Sequence, residues 1–121
     1  MTVFCVDHSP IALFALNGKV KKIIPEASIV SCRTPEDAIL TAKQKKCDVL
    51  ITEIDFGRRK EEGISLAEEI KRFNPFVNII FIASGLSREY AMRLMKLRYS
   101  GYLTKPFSLN ELKEELNNLR Y

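Results

Sequence analysis

Long hydrophobic runs are missing from this 121-residue sequence, and no stretch approaches the roughly 20 apolar residues that a membrane-spanning helix needs. It has no glycine-rich loop of the kind that binds phosphate, which argues against a nucleotide-binding function. No basic region or cleavage site accompanies the apolar residues 1–6, so we expect no signal peptide. The cysteines are only three and lack metal-ligand spacing, which is typical of reduced thiols in the cytosol. We therefore expect a cytoplasmic protein that does not contact a membrane.

The composition is that of a folded chain of ordinary size. With 46% hydrophobic and 28% charged residues, a disordered chain is excluded. The length predicts one domain that spans residues 1–121. The net charge of +4 permits an acidic partner but does not by itself indicate nucleic-acid binding.

Five short apolar segments alternate with helical patterns. The segments read as continuous hydrophobic runs, as strands buried on both faces do. Ser9-Pro10 and Thr34-Pro35 have the residue types that begin helices, Ser108 and Glu111 form a capping box, and Ser87 can cap a fourth helix. The pattern predicts an α/β single domain, a doubly wound, flavodoxin-like (βα)5 fold with a five-stranded parallel sheet. The five predicted strands are Thr2–Val6, Ser28–Cys32, 48–53, Asn78–Ala83 and Gly101–Thr104.

Ligands of such folds bind outside the carboxyl ends of the strands, where the strand order reverses. The residues that this rule selects follow or end four different strands. They are Asp7 and His8 after the first strand, Glu53 and Asp55 at the third, Ala83 at the fourth and Lys105 after the fifth.

Several motifs resemble the receiver domain of bacterial response regulators, and the resemblance spans the whole chain. They are VDHSP after the first strand, DVLITEID around the third, GISLAEEIKRFNP in helix three and SGYLTKPFSLNEL at the end. The intervals from Glu53 to Ala83 and from Ala83 to Lys105 are similar to those between the phospho-acceptor, the hydroxyl residue and the lysine of that family.

The resemblance implies a site in which two acids and an acceptor Asp hold Mg²⁺, while a Thr or Ser and a lysine bind the phosphoryl group. An aromatic residue on the fifth strand then turns inward when the domain is phosphorylated. Asp7, Tyr102 and Lys105 match this pattern. Three positions depart from it, with His8 in place of the second acid, Glu53 in place of the acceptor and Ala83 in place of the hydroxyl residue.

These departures predict a degenerate receiver, or pseudo-receiver. His8 removes a hard oxygen ligand, so we expect no cofactor and at most weak Mg²⁺ binding at Asp7 and Glu53. Glu53 is one methylene longer than an Asp, so its carboxylate lies roughly one ångström too far out for attack on a phosphoryl group, a reaction in which positioning does most of the work. Ala83 cannot donate a hydrogen bond to the phosphoryl group. We expect an ion pair between Glu53 and Lys105 that fills the pocket, with His8 and Asp55 facing solvent. The predicted function is that of a protein-interaction module of two-component signalling and not of an enzyme.

Other interpretations stay open at this stage. Glu53 or Asp55 could still accept a phosphoryl group, or Glu53 could mimic a phosphorylated Asp. An unrelated flavodoxin-like binder of a small cofactor is a further alternative. Because no DNA-binding element follows helix five, we expect either the receiver portion of a longer transcriptional regulator or a stand-alone adaptor.

The surface of helix four predicts a partner. Its apolar residues cover a wider arc than contact with one sheet requires. Opposite charges on helices four and five favour a homodimer through helix four, strand five and helix five. A histidine kinase or an output domain is the other expected partner, and DNA would be reached only through another domain. The charged residues are Arg88, Glu89, Arg93, Lys96 and Arg98 on helix four, and Glu111, Lys113, Glu114 and Glu115 on helix five.

Overall fold

The structure, a computed structural model, describes residues 1–57, 60, 62–85 and 88–119, without the side chains of residues 88 and 89. Strands and helices alternate along this part of the chain, as the hydrophobic pattern predicts. None of its helices has both the length and the hydropathy that crossing a bilayer requires. The elements are β1 (Thr2–Val6), α1 (Pro10–Ile23), β2 (Ser28–Cys32), α2 (Pro35–Ala42), β3 (Val49–Glu53), α3 (Glu62–Phe73), β4 (Asn78–Ala83), α4 (Arg88–Leu97), β5 (Gly101–Thr104) and α5 (Leu109–Asn117).

The strands form one parallel sheet in the order β2-β1-β3-β4-β5. Helices α1 and α5 pack on one face through residues such as Leu16 and Leu112. Helices α2, α3 and α4 pack on the other face through residues such as Ala38, Ile70 and Leu94. The doubly wound α/β fold is therefore confirmed. Because strand order reverses between β1 and β3, the carboxyl ends of these two strands flank the switch point.

The predicted helix caps are present where the structure describes them. Ser9 and Thr34 accept hydrogen bonds from the first turns of α1 and α2, and Ser108 and Glu111 form both bonds of the capping box. Ser87, the predicted cap of helix four, lies outside the described residues.

The sequence predicts that the third helix follows Gly63 and covers roughly residues 64–73, but α3 begins at Glu62 and includes Gly63. The third strand begins at Val49, one residue later than predicted. A Cβ atom at position 63 would lie 1.8 Å from the carbonyl oxygen of Glu53. Only glycine lets this helix begin so close to the end of β3, and Gly63 N–H donates to Ile54 O at 2.8 Å.

All three cysteines are free and buried, as expected. Burial raises the pKa of the Cys5 and Cys47 thiols to about 12, and it also raises the pKa of Cys32. Thiols that stay protonated in this way behave as small apolar side chains of the core.

Candidate functional site at the carboxyl edge of the sheet

The selected residues meet at one edge of the sheet because their strands are parallel neighbours. Asp7 follows β1, Glu53 ends β3, Ala83 ends β4 and Lys105 follows β5. A cleft of about 40 Å³ lies between Glu53, Asp55, Ala83 and Lys105. The residues that the sequence analysis selected therefore lie together at this edge.

Asp7 is held by two donors in an almost fully buried position. Its residue surface is only 2% exposed. Lys105 Nζ donates to Asp7 Oδ2 at 2.9 Å, and the Ser9 N–H donates to Asp7 Oδ1 at 2.9 Å. Both carboxylate oxygens are therefore hydrogen-bonded within the protein.

Glu53 is held by His8 rather than by the lysine. Its Oε2 atom accepts a hydrogen bond from the His8 main-chain N–H and lies 2.7 Å from His8 Nδ1. When Glu53 is ionised, Nδ1 must carry the proton of this contact, because a carboxylate only accepts. Burial raises the pKa of Glu53, the His8 hydrogen bonds oppose that rise, and the charge of Asp7 adds to it.

The expected ion pair between Glu53 and Lys105 is therefore wrong, since Lys105 pairs with Asp7. The physical reason is that His8 offers two donors to Glu53, one from its main chain and one from its ring. Although the His8 side chain is 50% exposed, it does not simply face solvent. Sequence reasoning missed this role because it paired the pocket lysine with Glu53.

Asp55 also has a partner that sequence reasoning missed. Tyr90 Oη lies 2.6 Å from Asp55 Oδ1 and 2.8 Å from Oδ2, so its hydroxyl donates to this carboxylate. The expectation that Asp55 points outward is wrong, because this contact joins the loop after β3 to α4. The only sign of this contact in the sequence is that helix four carries an aromatic residue, Tyr90, among its apolar residues.

Ala83 lines the cleft, and Tyr102 lies on β5, which pairs with β4. Ala83 contributes its carbonyl oxygen, which accepts from Lys105 N–H at 2.8 Å. The Tyr102 hydroxyl is buried and has no hydrogen-bond partner among the residues that the structure describes. Burial raises the pKa of Tyr102, with smaller contributions from Tyr99 and Asp55.

The donor set tests whether the Mg²⁺ of the family fits here. Asp7, His8 and Glu53 each place one potential ligand atom within 4.8 Å of the others. Mg²⁺ requires oxygen ligands in an octahedron, whereas this set contains an imidazole nitrogen. Lys105 and His8 also occupy carboxylate oxygens of Asp7 and Glu53. The residues present do not fit Mg²⁺.

The α4-β5-α5 surface carries exposed apolar groups, but some of its charges are used within the chain. Met92 and Met95 are 67% and 77% exposed. Arg93 Nη2 lies 2.7 Å from Glu68 Oε1 on α3, so this charge already has an intrachain partner. Burial raises the pKa of Glu115, with a smaller contribution from Glu114. The predicted contributions of the Arg88 and Glu89 side chains lie outside the described part of the chain.

Comparisons with known protein sequences and structures identify the family of this chain. The family model of the response regulator receiver domain matches residues 3–117. The transcriptional regulatory protein RprY of Bacteroides fragilis is 36% identical over 53 residues, which cover 44% of this chain and 22% of that protein. The sensory transduction protein LytR of Staphylococcus haemolyticus is 24% identical over 121 residues, which cover 100% of this chain and 46% of that protein.

The fold agrees as well. The structure of the chemotaxis protein CheY4 of Vibrio cholerae superposes with a TM-score of 0.85 at 16% identity and 98% coverage of both chains. The chain spans less than half the length of the curated relatives it matches. Because the family model covers nearly the whole sequence, this chain belongs to the response regulator receiver domain family of two-component signalling.

Proposed function

We propose that this receiver domain is a pseudo-receiver, a protein-interaction module that works without phosphorylation and is not an enzyme. The observation that carries the proposal is that the pocket groups satisfy one another. Lys105 binds Asp7, and His8 binds Glu53 through its main chain and its ring. A phosphoryl group and its metal ion would have to displace both pairs.

The geometry around Glu53 further disfavours phosphoryl transfer. One carboxylate oxygen of Glu53 is already held by the main-chain N–H and the ring of His8, so it is not free to attack a phosphorus atom. With alanine at position 83, a phosphoryl oxygen there loses a hydrogen bond worth about 1.5–3 kcal/mol. Positioning supplies most of the catalysis of phosphoryl transfer, so these losses bear directly on the rate.

The contacts also argue against the two active alternatives. A Glu53 that mimics a phosphorylated Asp needs the lysine, but Lys105 contacts Asp7. A glutamate also carries one negative charge, against about −1.5 to −2 for a phosphate. An acceptor role for Asp55 would require breaking its hydrogen bond from Tyr90.

We extend the proposal to the whole protein with the help of the relatives. Because RprY is a transcriptional regulatory protein and LytR a sensory transduction protein, we infer that this chain is the cytoplasmic receiver portion of a longer transcriptional regulator. Its partners would be a histidine kinase or an output domain, and DNA would be contacted only through that other domain. A stand-alone adaptor is the alternative.

A homodimer through α4, β5 and α5 is part of the same proposal. Exposed Met92 and Met95 provide apolar area, and Lys96 and Glu114 are exposed charges of opposite sign on α4 and α5. Sedimentation should show a dimer that Lys96→Glu or Glu114→Lys weakens and that the double reversal restores. A monomer at high concentration would contradict the interface.

Phosphate transfer is the direct test of the pseudo-receiver proposal. We expect no stable ³²P label from acetyl phosphate and Mg²⁺ on the natural chain, and no response to beryllofluoride. The triple variant His8→Asp, Glu53→Asp, Ala83→Thr should gain label, because it restores the oxygen ligands, the acceptor and the hydroxyl. The matched control carries Glu53→Asn with the other two changes and should stay unlabelled. Label on the natural chain, whether lost or kept in Asp55→Asn, would refute the proposal.

A further inference from the structure

The opposite edge of the sheet carries a groove that the receiver pocket does not use. It is formed by the loop before β3 and the loop before β4, at the amino ends of these strands. Two cavities of about 530 Å³ and 430 Å³ adjoin along it, and both are lined by Lys46 and Asn74. We call it the Lys-Phe groove, and its remaining lining residues include Lys43, Lys45, Phe73 and Phe76.

The Lys-Phe groove is positively charged. Lys43, Lys45 and Lys46 are exposed along it, against the single acid Asp48. Asp48 Oδ2 accepts a hydrogen bond from the Thr2 N–H at 2.7 Å, and its Oδ1 is 3.9 Å from Lys46 Nζ. One acid that is already engaged cannot neutralise three lysines, so the groove attracts negative charge.

The same groove exposes aromatic surface beside an apolar floor. The Phe76 residue is 94% exposed and Phe73 is 40% exposed, whereas Cys47 and Val77, which also line the groove, are buried. The loop that carries Phe76 is closed by a hydrogen bond of 3.0 Å from Val77 N–H to Asn74 O. An ordered turn therefore presents this ring to solvent, and a cavity of this size fits a ligand side chain.

We propose that the Lys-Phe groove binds an acidic peptide segment of a partner protein. An apolar side chain of the segment packs against Phe76, and Asp or Glu residues on either side contact Lys43, Lys45 and Lys46. Charge complementarity selects the acidic flanks, and the exposed ring selects the apolar centre. A flat anionic bilayer would not fill a concave groove. The groove offers two phenylalanines rather than a row of aromatic rings on which successive bases could stack, so we favour a peptide over a nucleic-acid strand.

The proposal does not depend on phosphorylation, because the groove lies at the other end of the strands from Glu53. Failure of one proposal therefore leaves the other intact. Binding should weaken as salt is raised, because exposed lysines supply part of the attraction.

Fluorescence anisotropy tests the groove with a short synthetic peptide, labelled with a neutral dye, whose central Phe is flanked by Glu and Asp. We expect saturable binding that Phe76→Ser or Lys45→Glu weakens by roughly tenfold or more, because such groups act as interface hot spots. The matched controls are Phe14→Ser, at an 82% exposed phenylalanine of α1, and Lys60→Glu, at an exposed lysine of the loop between β3 and α3, which should change the affinity less than about twofold.

Ligand-side controls complete the test. Replacing the peptide's Phe with Ala or its acids with Gln should abolish most of the binding. The proposal is overturned if the peptide does not saturate, or if the control variants lose as much affinity as the groove variants. Tighter groove-dependent binding of single-stranded oligonucleotides or phosphatidylglycerol vesicles would overturn it in favour of those partners.

Discussion

Which carboxylate Lys105 stabilises can be measured with two double-mutant cycles that share this lysine. The single variants are Lys105→Met, Asp7→Asn and Glu53→Gln, and each acid is also combined with Lys105→Met. The Asn and Gln substitutions remove the charge and keep an oxygen that can still accept hydrogen bonds. Each cycle then isolates the coupling of the lysine to one acid.

The contact distances give the expected magnitudes. Lys105 Nζ lies 2.9 Å from Asp7 Oδ2, and the lysine side chain is 33% exposed while that of Asp7 is 3% exposed. A hydrogen bond to a charged group contributes about 1.5–3 kcal/mol, and partial exposure of the lysine favours the lower end. We expect a coupling of about 1.5 kcal/mol with Asp7 and less than about 0.5 kcal/mol with Glu53. Lys105→Met alone should cost about 2 kcal/mol, because it leaves a buried carboxylate without its cation.

Urea unfolding followed by far-UV circular dichroism suits a chain that has no tryptophan. The slope of unfolding free energy against urea should stay constant across the six proteins, so that midpoints report stability. A larger coupling of Lys105 with Glu53 than with Asp7 would refute the pairing described above. It would also restore Glu53 as a candidate mimic of the phosphorylated acceptor.

Three further predictions concern single side chains. Gly63→Ala should destabilise the fold by about 3 kcal/mol or more, because its Cβ would lie 1.8 Å from a main-chain oxygen. The matched control is Gly18→Ala on α1, where a Cβ would have nothing within 4 Å, and this variant should stabilise the fold by about 0.5–1 kcal/mol. Equilibrium unfolding of both variants checks this, and a Gly63→Ala protein of normal stability would contradict the close approach. Tyr102→Phe should leave stability unchanged or raise it by up to about 1 kcal/mol, because the lost hydroxyl is buried and has no partner among the described residues. A clear loss of stability in thermal melts would contradict this. Because the pKa of Glu53 is raised above its ordinary value of 4.5, the folded state holds this proton after the unfolded chain has lost it, and the group's contribution to stability falls as pH rises through that window. The variant His8→Asn removes the ring that opposes this rise of the pKa. In that background, the stability gained by Glu53→Gln should grow with pH above 4.5 and then level off, and a gain that shrinks as the pH rises would show that the pKa of Glu53 is not raised.

The fold was predictable because central parallel strands are buried on both faces. This burial produces continuous hydrophobic runs in β1, β3 and β4, whereas the edge strand β2 is partly exposed, contrary to the prediction. The predicted bounds of β1, β2, β4 and β5 agree with the structure. Local cap chemistry at Ser9, Thr34 and Ser108 was equally readable, since each cap involves residues only three apart. The start of α3 was not readable, because the close approach of Gly63 to Glu53 is a tertiary contact.

The candidate site was predictable to the level of its edge and its residues, and not to the level of its pairs. Parallel topology guarantees that the ends of neighbouring strands meet. Which acid meets Lys105 depends on side-chain directions and on competing donors, and His8 supplies a main-chain donor that no residue pattern records. The Lys-Phe groove was missed for a related reason. Its lysines precede β3, whereas its phenylalanines lie at the end of α3 and in the loop before β4, far away in sequence.

The buried thiols make it possible to measure how often the folded chain opens locally. With pKa values of about 12, Cys5 and Cys47 present almost no thiolate to an alkylating reagent while the sheet is intact. Under native conditions, the rate at which these two thiols are alkylated therefore depends on how often β1 and the segment before β3 become exposed. Each rate yields a free energy of local opening. A cysteine engineered at the surface could be dye-labelled selectively without removing any of the natural ones.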